Sequence, residues 1–144
     1  SSYYQEWIEF LREPPRMRIF VLIGALFCLL GVTAGALGAH ALKGLLEQTG
    51  GSGNYDLATD YMFYHGLGLI AAGIVKGMGC PAPIDLAGWL FVAGSAMFQG
   101  NLYLISLVDL RTFQFLTPVG GICLMAGWLA LAIAAIRKKD GRQA

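Results

Sequence analysis

Apolar residues in this chain are gathered into four long segments separated by short polar connections. The segments cover residues 19–42, 57–77, 86–108 and 117–136. Each is close to the roughly 20 helical residues that cross a bilayer core about 30 Å thick. Helices satisfy their own backbone hydrogen bonds in lipid, and short connections make neighbours antiparallel. The pattern predicts an all-α fold class: an integral membrane four-transmembrane-helix bundle.

Turn-forming residues mark the three connections. A Gly- and Ser-rich stretch at residues 50–54 predicts a flexible turn between the first two spans. Pro81 and Pro83 end the second span, and Asp85 is placed to cap the third. Thr117, followed by a proline, is a typical helix start for the fourth.

Residues 1–16 carry a shorter, amphipathic pattern that ends at two prolines. They predict an N-terminal amphipathic helix on the membrane surface, ahead of a four-helix transmembrane domain at residues 17–144. The polar face is acidic, which is unusual for binding anionic lipid, so a protein partner and a simple interfacial anchor are both expected alternatives. The predicted docking face consists of Tyr3, Tyr4, Trp7, Ile8 and Leu11.

Basic residues are divided unevenly between the two sides of the predicted membrane domain. One side holds Arg12, Arg16, Arg18, Lys76, Arg137, Lys138, Lys139 and Arg142, and the other holds Lys43 and Arg111. Basic residues favour the cytoplasmic side. We therefore expect a protein of the bacterial inner (plasma) membrane with both termini cytoplasmic. The alternative is the mitochondrial inner membrane, with the termini in the matrix.

The composition excludes several classes of protein. Hydrophobic residues make up 56% and charged residues 13% of the 144 residues, whereas a soluble domain carries about 25% charged residues. The chain is also too apolar for disorder. A net charge of +1 argues against nucleic-acid binding. The lipid bilayer is therefore the first predicted partner.

Small residues form stripes on two of the predicted spans. Membrane helices associate through small residues because these allow close backbone approach. We expect helix packing at Gly24, Gly31, Gly35 and Gly38 in the first span and at Gly120 and Gly127 in the fourth.

The third span has small or polar residues on two nearly opposite faces. One face carries Gly88, Ser95, Gln99 and Ser106, and the other carries Gly94 and Asn101. A simple bundle buries one face of each helix well. The second face therefore predicts contact with other membrane protein subunits or self-association.

Polar and aromatic side chains concentrate toward the non-cytoplasmic half. Together they predict a pocket opening outward, formed by His40, Tyr61, His65, Gln99, Asn101, Tyr103 and Thr117. Buried polar groups in membranes are costly and often functional. The tyrosines also fit an interfacial aromatic belt. His40 lies within a turn of its helix end, opposite the glycine stripe. His65 lies about two turns deep, where a hydrogen bond to a neighbouring helix is expected ahead of ligand or proton binding.

The reactive residues do not combine into a known catalytic or metal-binding pattern. Two histidines without neighbouring carboxylates or thiols make a poor ligand set. Cys28, Cys80 and Cys123 share neither depth nor motif. We therefore expect no metal, no cofactor and no enzymatic activity.

Four motifs, in order, resemble the YgdD-like small integral membrane protein family, a domain of unknown function (domain of unknown function 423). They are GALGAHALK at residues 35–43, YMFYHGL at 61–67, FQGNLY at 98–103 and TPVGG at 117–121. The resemblance implies a four-helix membrane protein and brings no established reaction. The N-terminal segment and the Gly-Ser-rich stretch depart from the family pattern.

Three hypotheses for function remain. The first is a non-catalytic accessory or structural subunit that docks on a larger membrane complex, favoured by the amphipathic segment and the glycine stripes. The alternative is a small transporter or ligand-binding membrane protein that uses the polar pocket around His65. An enzyme ranks last, because no nucleophile, acid pair or cofactor site is visible.

Overall fold

The structure is a computed structural model that describes residues 2–12, 15–80 and 83–137, and every regular element in those ranges is a helix. In order these are α1 (Ser2–Arg12), α2 (Pro15–Ala39), α3 (Lys43–Thr49), α4 (Ser52–Gly77), α5 (Pro83–Val108) and α6 (Leu116–Arg137). The predicted all-α class is confirmed. Pro81 and residues 138–144, which include three of the basic residues used to predict orientation, lie outside the described residues.

Among the long helices, α4 packs between α2 and α5, and α5 also packs against α6. Neighbours run antiparallel: Gly38 of α2 lies beside Tyr55 at the start of α4, and Met17 lies beside Gly77 at its end. One end of the molecule therefore holds the end of α2, all of α3, the start of α4, the end of α5 and the start of α6. We call it the α3 end.

Small residues bring α2 and α4 into backbone contact. A Cβ atom added to Gly24 would lie 2.5 Å from the carbonyl oxygen of Gly66, and one added to Gly31 would lie 2.9 Å from the ring of Phe63. Further along, Gly35 faces Thr59, and Gly38 faces Tyr55. The Tyr55 hydroxyl also donates a hydrogen bond to the Ala34 carbonyl oxygen, at 2.6 Å. All four stripe glycines of α2 therefore face α4.

The second close seam joins α5 to α6. A Cβ atom on Gly120 would lie 2.7 Å from the backbone nitrogen of Phe98, and one on Gly127 would lie 2.8 Å from the ring of Phe91. Gly94 contributes from the other side, since its Cβ would lie 2.8 Å from Leu124. Side chains fill the remaining space, with Phe20, Leu69, Phe91 and Leu124 forming the buried apolar core.

Both of the small or polar faces of α5 are covered by this same chain. Gly88 packs against Phe20 of α2. On the other face, Gly94 packs against α6, and Asn101 donates a hydrogen bond to the Thr117 hydroxyl at 2.6 Å. Contacts within this chain therefore account for both faces, and contact with another subunit stays a prediction. The helical spacing located the two faces, but α5 is an inner helix with neighbours on both sides.

Within the residues that the structure describes, three helices are long and apolar enough to cross a membrane: Met17–Ala39 in α2, Pro83–Val108 and Leu116–Arg137. Their flanks expose large apolar side chains, among them Leu29, Leu86 and Ile122. Exposed apolar flanks on long helices are typical of a protein whose solvent is hydrocarbon.

The connection between α2 and α4 differs from the prediction. A separate short helix, α3, follows α2, and Gly50 ends it in the left-handed conformation with φ of 66°. The predicted flexible turn is reduced to Gly50 and Gly51, and α4 begins at Ser52 rather than near residue 57. Burial of Tyr55 and the contact of Gly51 with the Ser106 backbone hold this first turn in place. Tertiary contacts have overridden the local turn propensity.

The starts of α5 and α6 lie close to the predicted positions. Pro83 is the first residue of α5, where a missing N–H is not needed. Asp85 lies in the first turn and forms an ion pair with Lys76 of α4 at 2.8 Å. Thr117 lies inside α6, which begins one residue earlier at Leu116. Its hydroxyl accepts the hydrogen bond from Asn101.

Candidate functional site: an aromatic cleft between α4 and α6

A cleft of about 530 Å³ lies between α4 and α6, with Phe98 of α5 in its wall. Tyr64, Met125 and Trp128 at its edges are 54%, 66% and 43% exposed. These residues lie on the flanks of long helices, so the cleft opens sideways. It is lined by Tyr61, Tyr64, His65, Phe98, Gly121, Leu124, Met125 and Trp128. We call it the aromatic cleft.

His65 is the buried polar residue of this cleft, with only 4% of its surface exposed. The indole Nε1 of Trp128 donates a hydrogen bond to His65 Nε2 at 3.1 Å. His65 Nδ1 lies 2.8 Å from the carbonyl oxygen of Tyr61, one turn earlier in α4. An indole N–H only donates, so Nε2 is the unprotonated nitrogen and Nδ1–H donates to the carbonyl. Both ring nitrogens are thus engaged, and the imidazole is neutral.

Aromatic rings support the histidine from several sides. Phe91 lies 5.7 Å from the His65 ring and 4.7 Å from the Trp128 ring, measured between centroids. Tyr61 stacks on Phe98 at 4.8 Å with an interplanar angle of 22°. Tilted and stacked rings at these separations attract each other beyond their burial. The wall of the cleft is therefore built from mutually packed rings on three helices.

Two glycines, Gly68 of α4 and Gly121 of α6, lie at the contact between α6 and this wall, and their effects differ. A Cβ atom on Gly68 would lie 3.0 Å from the six-membered ring of Trp128. A Cβ on Gly121 would lie 3.8 Å from the ring of Phe98, in ordinary contact. Gly68 is needed for the tryptophan to reach His65, whereas Gly121 leaves open space in the cleft itself.

Of the seven residues predicted to form one pocket, the structure brings only Tyr61 and His65 into the aromatic cleft. His40 is exposed at the α3 end, just after α2. His65 lies near the middle of α4, deeper than predicted because that helix begins earlier. The remaining four belong to contacts between helices.

Three of those four residues form polar contacts between helices, and the fourth, Gln99, is buried without one among the described residues. Asn101 and Thr117 join α5 to α6, as described above. Tyr103 and Thr59 share a hydrogen bond of 2.9 Å between α5 and α4. Gln99 is fully buried on the face of α5 that carries Ser95 and Ser106. Helical spacing shows which residues share a face, but it does not show which neighbouring helix covers that face.

Sequence reasoning missed Trp128, Phe98 and Met125 as members of the cleft. In the sequence Trp128 directly follows Gly127, a residue predicted to pack against a neighbouring helix, and the tryptophan itself was assigned no role. A tryptophan in a membrane span, at a depth matching a buried histidine on another helix, is the pattern that predicts such a pair.

The N-terminal docking residues lie on α1. Tyr3, Tyr4, Trp7 and Leu11 are 80%, 71%, 63% and 56% exposed, while Ile8 is half-buried. Arg18 of α2 donates a hydrogen bond to the Leu11 carbonyl oxygen at 3.5 Å, which ties the end of α1 to the start of the first apolar span. The aromatic face of α1 is thus presented at the end opposite to α3.

Comparison with known proteins identifies the family. The model of a family described as "Protein of unknown function (DUF423)" matches residues 34–121. The chain is 39% identical over 121 residues to a UPF0382 membrane protein of Staphylococcus epidermidis, covering 84% of this chain and 98% of the relative. It is 32% identical over 122 residues to the UPF0382 membrane protein YwdK of Bacillus subtilis, with the same coverage. No solved structure gives a significant match. The predicted family is confirmed, and the chain belongs to the DUF423 family of small membrane proteins.

Proposed function

We propose that this chain is a non-catalytic integral membrane protein that binds a lipid-soluble molecule in the aromatic cleft. The observation that carries this proposal is a mainly apolar cleft, open sideways between α4 and α6, with a buried histidine fixed in its wall. Ligand sites are typically apolar cavities with a few well-placed polar groups. Because both nitrogens of His65 are engaged, the histidine shapes the site rather than transferring protons.

The proposal includes a fourth membrane crossing, made by α4. This helix has 26 residues, about 39 Å at 1.5 Å per residue. It lies against α2 from Met17 to Gly38, which is nearly the whole length of that apolar span. A helix packed antiparallel along a membrane-spanning helix crosses the same bilayer. Its charged residues Asp56, Asp60 and Lys76 lie toward its two ends.

The proposed orientation places the α3 end outside the cell. Arg18, Lys76 and Arg137 lie at the opposite end of the described molecule, whereas Lys43 and Arg111 lie at the α3 end. The excess of basic residues favours a cytoplasmic location for the end opposite to α3. The relatives are membrane proteins of bacteria, which supports the plasma membrane rather than a mitochondrial one.

We expect a short-chain naphthoquinone, used as a lipid-soluble ring probe, to quench Trp128 fluorescence saturably in the detergent-solubilised protein. The chain has three tryptophans, so Trp7→Phe and Trp89→Phe leave Trp128 as the reporter. Gly121→Leu adds a side chain where the cleft is open. It should weaken the saturable quenching at least about tenfold, equivalent to roughly 1.4 kcal/mol.

The matched control for this titration is Gly100→Leu. A Cβ atom on Gly100 meets nothing within 4 Å, and this residue does not line the cleft. Equal quenching of the two leucine variants, or quenching that never saturates in the parent protein, would exclude the cleft as a binding site.

A second candidate function is an accessory or structural subunit that docks on a larger membrane complex through α1. The observation that favours it is the aromatic face of α1, where Tyr3, Tyr4 and Trp7 are all more than 60% exposed. Tyrosine and tryptophan are enriched in the anchors of protein interfaces. The same residue types also anchor helices at the membrane surface.

Purification in mild detergent distinguishes docking of α1 on a larger complex from anchoring of α1 at the membrane surface. If α1 docks on a complex, other subunits co-purify with the full chain, and Tyr4→Ala with Trp7→Ala reduces their yield at least fivefold. The control is Glu6→Ala with Glu9→Ala, which alters exposed residues of the same helix. Recovery of this chain alone would contradict the accessory function, and equal losses in both variants would contradict docking through the aromatic face.

A further inference from the structure

Polar side chains run along one face of α5, from the α3 end to the middle of the helix, and Tyr103 on this face bonds to Thr59 of α4. Ser106, Tyr103, Gln99 and Ser95 follow one another at steps of three or four residues and so share one face. At the α3 end, the Thr49 hydroxyl donates to the Ser106 carbonyl oxygen at 3.0 Å. We call the line from Thr49 to Ser95 the polar seam.

The outer part of the polar seam is hydrogen-bonded within the chain. Tyr103 shares its hydroxyl with Thr59 of α4, and the Ser106 hydroxyl donates to the Tyr103 carbonyl oxygen at 3.0 Å. Thr59 in turn donates to the carbonyl oxygen of Tyr55 at 2.9 Å. This part therefore places hydrogen-bonded hydroxyl and carbonyl groups on successive turns, starting from the exposed Thr49.

The inner part has polar atoms with no such partner. Gln99 is 0% exposed, and neither its amide nitrogen nor its amide oxygen has a hydrogen-bond partner within the described residues. Ser95, one turn deeper and 3% exposed, likewise has an unpartnered hydroxyl there. Unpartnered polar groups in an apolar interior are costly, and buried water is the usual way in which proteins satisfy them.

Beyond Ser95 the interior becomes apolar. Phe91 is the next residue of α5 one turn further along, and it packs with Phe20 and Leu69 in the fully buried core. A polar path that begins at Thr49 is therefore closed by large apolar side chains near the middle of the molecule.

We propose that the polar seam is a dead-end water path. It admits water at the α3 end, hydrates Gln99 and Ser95 at the depth of the bilayer centre, and is closed by the Phe20–Leu69–Phe91 cluster. The ligand of this second site is water, held by one amide and one hydroxyl. The site is separate from the aromatic cleft, which lies between α4 and α6, and neither proposal depends on the other.

Cysteine modification in lipid vesicles tests this proposal. Cys28, Cys80 and Cys123 are first replaced by alanine, and Ser95→Cys is compared with Ala96→Cys, which lies at nearly the same depth on an exposed flank. A charged, membrane-impermeant methanethiosulfonate reacts with the thiolate, which forms only in water. We expect Ser95→Cys to react at least tenfold faster than Ala96→Cys, and only when the reagent is added at the α3 side. Equal rates, or reaction from the opposite side, would overturn the proposal.

A stability measurement gives an independent result if Ser95→Cys disturbs the fold. Gln99→Leu removes the buried amide. If water satisfies Gln99, this change leaves the midpoint of detergent-induced unfolding unchanged or lowers it. If Gln99 is dry and unpartnered, the same change raises the midpoint. A raised midpoint would contradict the water path.

Discussion

Gly24→Ala is expected to lower the free energy of unfolding by about 3 kcal/mol, the upper part of the usual range for overpacking. The added Cβ atom would lie 2.5 Å from the Gly66 carbonyl oxygen and 2.9 Å from the Ile70 backbone nitrogen. Backbone atoms cannot move aside as a flexible side chain can, so α2 and α4 must separate. Separation loosens contacts along the whole glycine stripe. Loss of helical circular dichroism during titration of micelles with sodium dodecyl sulfate measures this change.

Gly100→Ala is the matched control, with the same added methyl group in a long helix. Nothing lies within 4 Å of the position its Cβ would take. Alanine favours the helix over glycine by up to about 1 kcal/mol. We therefore expect the stability of Gly100→Ala to be equal to the parent protein or slightly higher. If both variants unfold at the same detergent fraction, the close contact between α2 and α4 is not what holds these helices together.

The packing seams could be anticipated from sequence because their cause is local. Glycines at three- and four-residue steps place a flat stripe on one side of a helix whatever surrounds it. Gly24, Gly31 and Gly38 consequently face one neighbour, α4, and Gly120 and Gly127 face α5. The sequence of a glycine stripe does not identify the helix that packs against it. The folded structure shows that α4 lies between α2 and α5.

The aromatic cleft could be anticipated only in part. Tyr61 and His65 stand out as polar residues in an apolar segment, but Trp128 is 63 residues away from His65, and nothing local pairs them. The depth of His65 within its helix was also misjudged. The start of α4 depends on the burial of Tyr55 and on the close approach of Gly51 to α5. Contacts between segments distant in sequence therefore set both the start of α4 and the hydrogen-bond partner of His65.

Short helix α3 was missed for a similar reason. It has seven residues, and Leu46 is the one that it buries. One buried apolar residue is too few to create a helical period of apolar positions in the sequence. Gly50, in the left-handed conformation, is a typical residue at the end of a helix. In the sequence it begins a run of turn-forming residues at positions 50–54. The later residues of that run, from Ser52 onward, are helical in the structure.

The second prediction with a large expected effect is that α4 crosses the membrane. The labelling experiment that tests it has two opposite outcomes. The residues before and after this helix are expected on opposite sides of the membrane, because α4 lies against α2 from one end of that span to the other. This helix is more polar than the other long helices because it carries Asp56, Asp60 and His65. An inner helix, covered by α2 and α5, tolerates such residues better than one surrounded by lipid.

Labelling of single cysteines on either side of α4 tests this crossing most directly. In the chain with its three native cysteines replaced by alanine, Gly53→Cys and Met78→Cys place exposed thiols near the two ends of the helix. With a membrane-impermeant maleimide, four crossings predict labelling of Gly53→Cys on intact cells and of Met78→Cys only in inside-out vesicles. Labelling of both thiols from the same side would contradict the crossing of α4 and, with it, the four-span arrangement.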